Sequence, residues 1–196
     1  MTLYAELTAA RPQAPAMALL TALLTALAGS MLLTVAAKVA IPFYPVPLTM
    51  QSFVVIGLGL ALGARLGALA VLLYLAQGAL GLPVFTGTPE KGLGLAYMMG
   101  PTGGFLVGYV IAAFTAGYLA ERGADRTPLA AFLAALAAAA IMYVPGLAWL
   151  GVLFGWDQPI LAWGLWPFIP GDLAKAALAA LVFPAAWAMI GRKGGF

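Results

Sequence analysis

Long apolar runs joined by short links fill this chain, and they leave few folds open to it. The runs fall at about 14–37, 47–62, 66–80, 103–120, 128–150 and 171–190. A helix needs roughly 20 residues to cross the ~30 Å hydrocarbon core of a bilayer, and these runs are of that order. Inside that core no water can satisfy backbone N–H and C=O groups, so only helices and closed barrels span it. The Ala- and Leu-rich runs lack the polar/apolar alternation of a barrel strand. Charge content agrees, at 8% of residues against about 25% in a soluble domain. The sequence therefore predicts an all-α integral membrane protein, a single six-helix bundle over residues 1–196 with no room for a second domain.

The stretch from Pro47 to Leu80 has to be divided. As one helix its 34 residues would reach about 51 Å at ~1.5 Å per residue. Arg65 would then lie near mid-membrane, at a cost of about 2.5–3.5 kcal/mol. A break at Gly63-Ala64-Arg65 gives two short spans instead. Six spans put Arg11, Arg65, Arg122, Arg126, Arg192 and Lys193 on one side, and Lys38, Lys91 and Lys175 on the other. Basic residues accumulate on the cytoplasmic side, so both termini are expected there. The first run is longer than a signal-peptide core and follows Glu6 as well as Arg11, which argues against a cleaved leader.

With no cysteine and no histidine, thiol chemistry and the usual metal-ligand sets are excluded, and no metal is expected. The net charge of +3 is an orientation signal and gives no footprint for nucleic acid. Gly100-Pro101-Thr102-Gly103-Gly104 is not a phosphate loop, because no Lys-Ser/Thr follows and the proline lacks a backbone donor. No inverted internal repeat of the kind found in secondary transporters is visible.

Polar groups concentrate in three segments on the side opposite the basic links. Pro167-Phe168-Ile169-Pro170-Gly171-Asp172-Leu173-Ala174-Lys175 opens the last run, with Asp172 and Lys175 one turn apart on one face. Asp172 can serve as a helix N-terminal charge paired with Lys175. Alternatively the pair faces a cavity, the usual meaning of ionisable groups within a membrane span. Pro45-Val46-Pro47-Leu48-Thr49-Met50-Gln51-Ser52 brings hydroxyl and amide groups to the second run, as a polar helix start or as ligand contacts. Leu82-Pro83-Val84-Phe85-Thr86-Gly87, then Glu90-Lys91-Gly92 and Tyr97 to Phe105, form a glycine-rich loop able to fold tightly over something. In the first run Ala18, Ala22, Ala26 and Ser30 recur every four residues. Such a small-residue stripe serves internal packing or the close approach of another transmembrane helix.

Taken in order, Pro45 to Phe53 (PVPLTMQSF), Gly81 to Phe85 (GLPVF), Lys91 to Tyr97, Gly100 to Tyr109 (GPTGGFLVGY) and Pro167 to Lys175 (PFIPGDLAK) resemble the BioY family. These are the biotin-specific S components of energy-coupling factor (ECF) transporters. The resemblance implies a substrate-binding subunit of a bacterial inner membrane that captures biotin on the outer side. Its ureido ring offers two N–H donors and one carbonyl, so Asp172 would accept from the ring and Lys175 would donate to it. Phe85 and Tyr97 are candidate walls for the apolar part. Lys91, Thr49, Gln51 and Thr102 are candidates for the carboxylate. No cofactor is implied for the chain itself. A transmembrane coupling subunit and cytoplasmic ATPases would supply the drive, with Ala18, Ala22, Ala26 and Ser30 as the docking face for the former. Another vitamin or heterocycle on the same scaffold is the alternative. With a single carboxylate in the spans and no histidine or cysteine, no enzymatic activity is expected.

Overall fold

The computed structural model describes residues 2–9 and 14–193. Arg11 lies outside them, as do the side chains of Arg192 and Lys193. Among the described residues the elements run α1 (Leu3–Ala9), α2 (Pro15–Lys38), β1 (Ala40–Ile41), β2 (Leu48–Thr49), α3 (Gln51–Leu62) and α4 (Ala64–Ala79). They continue as α5 (Gly94–Met98), α6 (Gly103–Glu121), α7 (Pro128–Phe154), α8 (Ile160–Gly164) and α9 (Ile169–Lys193). Among the described residues four segments are long and apolar enough to cross a membrane: α2, α6, α7 and Ile160–Ile190, which holds α8 and most of α9. Helices α3 and α4 are apolar but shorter.

The chain turns between α3 and α4 at Gly63, whose φ of +89° suits glycine. Glu121 at the end of α6 reaches across, and its carboxylate accepts a hydrogen bond from the Ala64 N–H at 2.9 Å. That bond satisfies one of the free donors that open every helix. Arg65 is left exposed beyond the turn. At the other end the expected second span, 47–62, starts late. Pro45 and Pro47 cannot donate backbone hydrogen bonds, and Leu48–Thr49 pair antiparallel with Ala40–Ile41 before α3 begins. This short hairpin is the departure from an all-α fold.

Helix α6 is the hub, packed against α7, α3 and α4, while α9 packs on α7 and α2 on α4. Without water to squeeze out, membrane helices gain by close contact, and small residues permit it. Gly117 of α6 shows how close: a Cβ there would lie 2.2 Å from the backbone nitrogen of Ala64. One end of the bundle carries the short turn at Gly63 and the 122–127 link. There the buried Asp125 accepts from the Trp187 indole N–H at 2.5 Å, and the Arg126 guanidinium lies 4.7 Å over the Trp187 ring. The other end carries the long connections 39–50, 80–102 and 155–168.

The stripe Ala18-Ala22-Ala26-Ser30 does not form one outward docking face. Ala18 is exposed and Ala22 half-buried, but Ala26 and Ser30 are fully buried. Ser30 Oγ accepts from Gln77 Nε2 of α4 at 3.1 Å, so this half of the stripe packs inside the protein. The reason is helical geometry. Each step of four residues advances about 40° beyond a full turn, so three steps rotate the stripe by roughly 120°.

Candidate functional site

The long connections close over a cavity between the ends of α3, α4, α6, α7 and α9, with about 530 Å³ of free space including its open mouth. Its floor is α9. Ile169 and Pro170 start this helix one turn before the charged pair, which places Asp172 and Lys175 in its first two turns, facing the cavity. Asp172 is buried and Lys175 half-buried, their charged atoms 3.6 Å apart. The Tyr143 hydroxyl of α7 donates to Asp172 Oδ2. Lys175 Nζ donates to the Thr49 carbonyl and to Ser52 Oγ, each at 2.8 Å. Each charge is therefore held by polar groups of other elements, and among the described residues Asp172 Oδ1 has no partner but Lys175. A buried ion pair with such extra bonds is tolerated where an isolated charge is not.

A second polar knot braces the opposite wall. Gln51, the first residue of α3, donates from Nε2 to the Tyr74 hydroxyl at 2.7 Å and accepts at Oε1 from Thr86 Oγ1 at 3.1 Å. Tyr74 in turn donates to the Val84 carbonyl at 3.3 Å. Phe85 stacks on Tyr97, with ring centroids 4.8 Å apart, and meets Tyr74 edge-on at 5.4 Å. Gly78 of α4 makes room for the Phe85 ring, which lies 2.0 Å from where a Cβ would stand. Burial pushes the Tyr97 phenol above its ordinary pKa, with the Thr102 and Thr86 hydroxyls acting in the other direction. It is a neutral donor at physiological pH. Phe105, Tyr143 and Phe168 form an aromatic cluster on the α6, α7 and α9 side.

Of the residues singled out in the sequence, Asp172, Lys175, Thr49, Gln51, Phe85, Tyr97 and Thr102 all line this one cavity. Lys91 does not. It is exposed and borders a separate shallow opening beside Pro45, Pro47, Tyr97 and Thr102. Its stem lies over Gly87, where a Cβ would meet Cδ at 2.8 Å. Gln51 lines the site with most of its amide already committed to Tyr74 and Thr86. The structure adds Ser52, Tyr74, Thr86, Phe105, Tyr109, Met142, Tyr143 and Phe168 to the lining. Tyr74, Tyr109 and Tyr143 carry the one legible signal among these. They are phenols within apolar helices, more than one turn from either end.

Comparison with known proteins gives a consistent result. The family model described as the BioY family matches residues 9–192. The "Probable biotin transporter BioY" of Pyrococcus horikoshii is 40% identical over 151 residues, covering 77% of this chain and 86% of that one. The "Biotin transporter BioY" of Rhizobium etli is 42% identical over 152 residues, covering 74% and 79%. Among solved structures, the S-component for biotin from an ECF-type ABC transporter superposes with a TM-score of 0.73 at 24% identity, over 89% of this chain and 94% of that one. That likeness establishes a shared fold. With the family match spanning almost the whole chain and both relatives aligned over most of their length, this protein belongs to the BioY family.

Proposed function

We propose that this chain is the biotin-binding membrane subunit of an ECF transporter, capturing the vitamin in the cavity above α9. The observation that carries the reading is the Asp172/Lys175 pair, placed side by side in a cavity lined by aromatic and hydroxyl side chains within a chain of this family. Asp172 Oδ1 is free to accept a ureido N–H, and the Lys175 ammonium can donate to the ureido carbonyl. Charge strengthens both bonds. Phe85, Tyr97, Phe105 and Phe168 supply walls for the bicycle and the aliphatic tail. Thr49 and Thr102 are the hydroxyls in the cavity lining among the residues first considered for the carboxylate, and Lys91 borders the adjoining opening.

In a membrane, α2, α3, α4, α6, α7 and α9 would form six spans. Arg65, Arg122 and Arg126 favour a cytoplasmic location for the end with the short links, leaving the cavity outside and both termini inside. The chain would bind substrate without acting as an enzyme. A transmembrane coupling subunit and ATPases would drive transport, and Ala18 and Ala22 remain the part of the stripe available to such a partner.

Equilibrium binding of radiolabelled biotin to the purified protein, with thiamine and riboflavin as competitors, tests the ligand. Binding that biotin alone displaces is expected, and displacement by either competitor would redirect the assignment. Co-purification tests the partner. Ala18→Trp is expected to leave biotin affinity unchanged while reducing recovery of the coupling subunit, and full recovery would remove α2 from the interface.

A further inference from the structure

The wall formed by Phe85 and Thr86 belongs to the long 80–102 connection, not to a helix. Hydrogen bonds inside this stretch are local, such as Lys91 N–H to the Gly87 carbonyl at 2.9 Å and Gly92 N–H to Pro89 at 2.9 Å. Side chains of the bundle hold it as well: Thr86 Oγ1 donates to Gln51 Oε1 at 3.1 Å, the Tyr74 hydroxyl to the Val84 carbonyl at 3.3 Å and Trp149 Nε1 to the Gly100 carbonyl at 2.9 Å. A further tether, the one at the Phe85–Thr88 turn itself, comes from α2. Lys38, the last residue of α2, extends its ammonium to the Phe85 carbonyl at 2.9 Å, the Thr88 carbonyl at 3.3 Å and Thr88 Oγ1 at 3.1 Å. Thr88 Oγ1 also donates to the Phe85 carbonyl at 2.7 Å, closing a ring of oxygens around the cation. An ammonium has three donors, and here three oxygens receive it. Lys38 does not line the cavity.

We infer that Lys38 is a positioning residue for ligand binding: it pins the Phe85–Thr88 turn to the end of α2 and so sets how long a bound ligand is retained. The argument is geometric. Phe85 must stay stacked on Tyr97, and Thr86 must stay bonded to Gln51, for this wall to exist. The lysine holds the carbonyl of the first and the residue two beyond the second. Its action is on closure, so release should quicken while capture, which begins from the open mouth, keeps its rate. The inference rests on the proposed biotin binding, and its test separates the two.

Wild type, Lys38→Met and Lys38→Arg are purified and their biotin association and dissociation rates measured, with amide hydrogen exchange on the ligand-free proteins. Lys38→Met is expected to dissociate about tenfold faster, the scale of losing hydrogen bonds to a charged group, with association within about twofold of wild type. Exchange should accelerate over 84–92 and stay unchanged in α3, α6 and α9. Lys38→Arg, which can offer donors to the same oxygens, should restore dissociation to within about threefold of wild type. Thr88→Val, approaching the ring from the loop side, should shift dissociation in the same direction. Unchanged dissociation and unchanged exchange in Lys38→Met would overturn the role. So would faster exchange throughout the bundle without rescue by arginine, because the residue would then support the fold generally. Failure of the wild type to bind biotin would overturn the ligand assignment instead, and exchange over 84–92 would still decide whether Lys38 holds the turn.

Discussion

Asp172→Asn is expected to weaken biotin binding about 100-fold while leaving the protein folded. The substitution preserves shape and removes charge. An asparagine carbonyl still accepts from Tyr143, and Lys175 keeps the Thr49 carbonyl and Ser52 Oγ. The cost falls on the ligand. Hydrogen bonds to charged groups contribute about 1.5–3 kcal/mol, and an amide turned so that its NH2 meets a ureido N–H sets donor against donor. The ring carbonyl then faces a lysine whose counter-ion is gone. Equilibrium binding of labelled biotin to purified wild type and variant reads the loss, and the unfolding temperature of both in detergent shows that the fold survives. An affinity within threefold of wild type would remove Asp172 from the ligand contacts and leave it as a helix-start charge.

The largest effect on folding is expected at Gly117. Its ideal Cβ would lie 2.2 Å from Ala64 N, 2.3 Å from the Gly63 carbonyl carbon and 2.5 Å from Ala64 Cα. These are backbone atoms of the α3–α4 turn and cannot rotate aside. A valine there must push α6 away from the turn, which also parts Glu121 from the Ala64 N–H. Overpacking a core costs about 1–3 kcal/mol and occasionally more. At a backbone–backbone contact the upper end applies, a large share of the ~5–15 kcal/mol that holds a typical domain together. Gly117→Val is therefore expected to give little monodisperse protein by size-exclusion chromatography. Gly171→Ala is the control. Nothing lies within 4 Å of its added methyl group, and alanine favours helix over glycine by up to ~1 kcal/mol, so yield and unfolding temperature should hold or rise slightly. Normal recovery of Gly117→Val would mean that the α3–α4 turn yields without consequence.

The ease of reading these features from the chain varied with the physics behind them. The turn at Gly63 was visible because two independent costs converge there: a helix too long for the membrane, and an arginine that would be stranded within it. Asp172 and Lys175 were visible because charges inside an apolar run are expensive and so demand a purpose. Tyr74, Tyr109 and Tyr143 were not picked out, although they lie among the cavity-lining residues with the charged pair. Each sits in a helix apolar all round, and such a helix has no polar face to announce which way it points. Lys91 lies outside that lining for a different reason. Within a glycine-rich loop, nearness in sequence to the site says nothing about which way the side chain leaves the backbone, and its stem runs over Gly87.

Membrane residence, the helical form of the spans, the position of the break and the presence of one charged pair follow from the sequence by itself, because each is enforced by the cost of placing polar groups in hydrocarbon. The rotation of each helix about its axis was decided only by tertiary structure. Lipid and protein interior are about equally apolar, so burial sets no preferred face, and close contacts such as Gly117 against Ala64 select it instead. That rotation turned Ala26 and Ser30 inward, gathered the tyrosines and Asp172 into the lining of one cavity, and brought Lys38 at the end of α2 against a loop some fifty residues further along the chain.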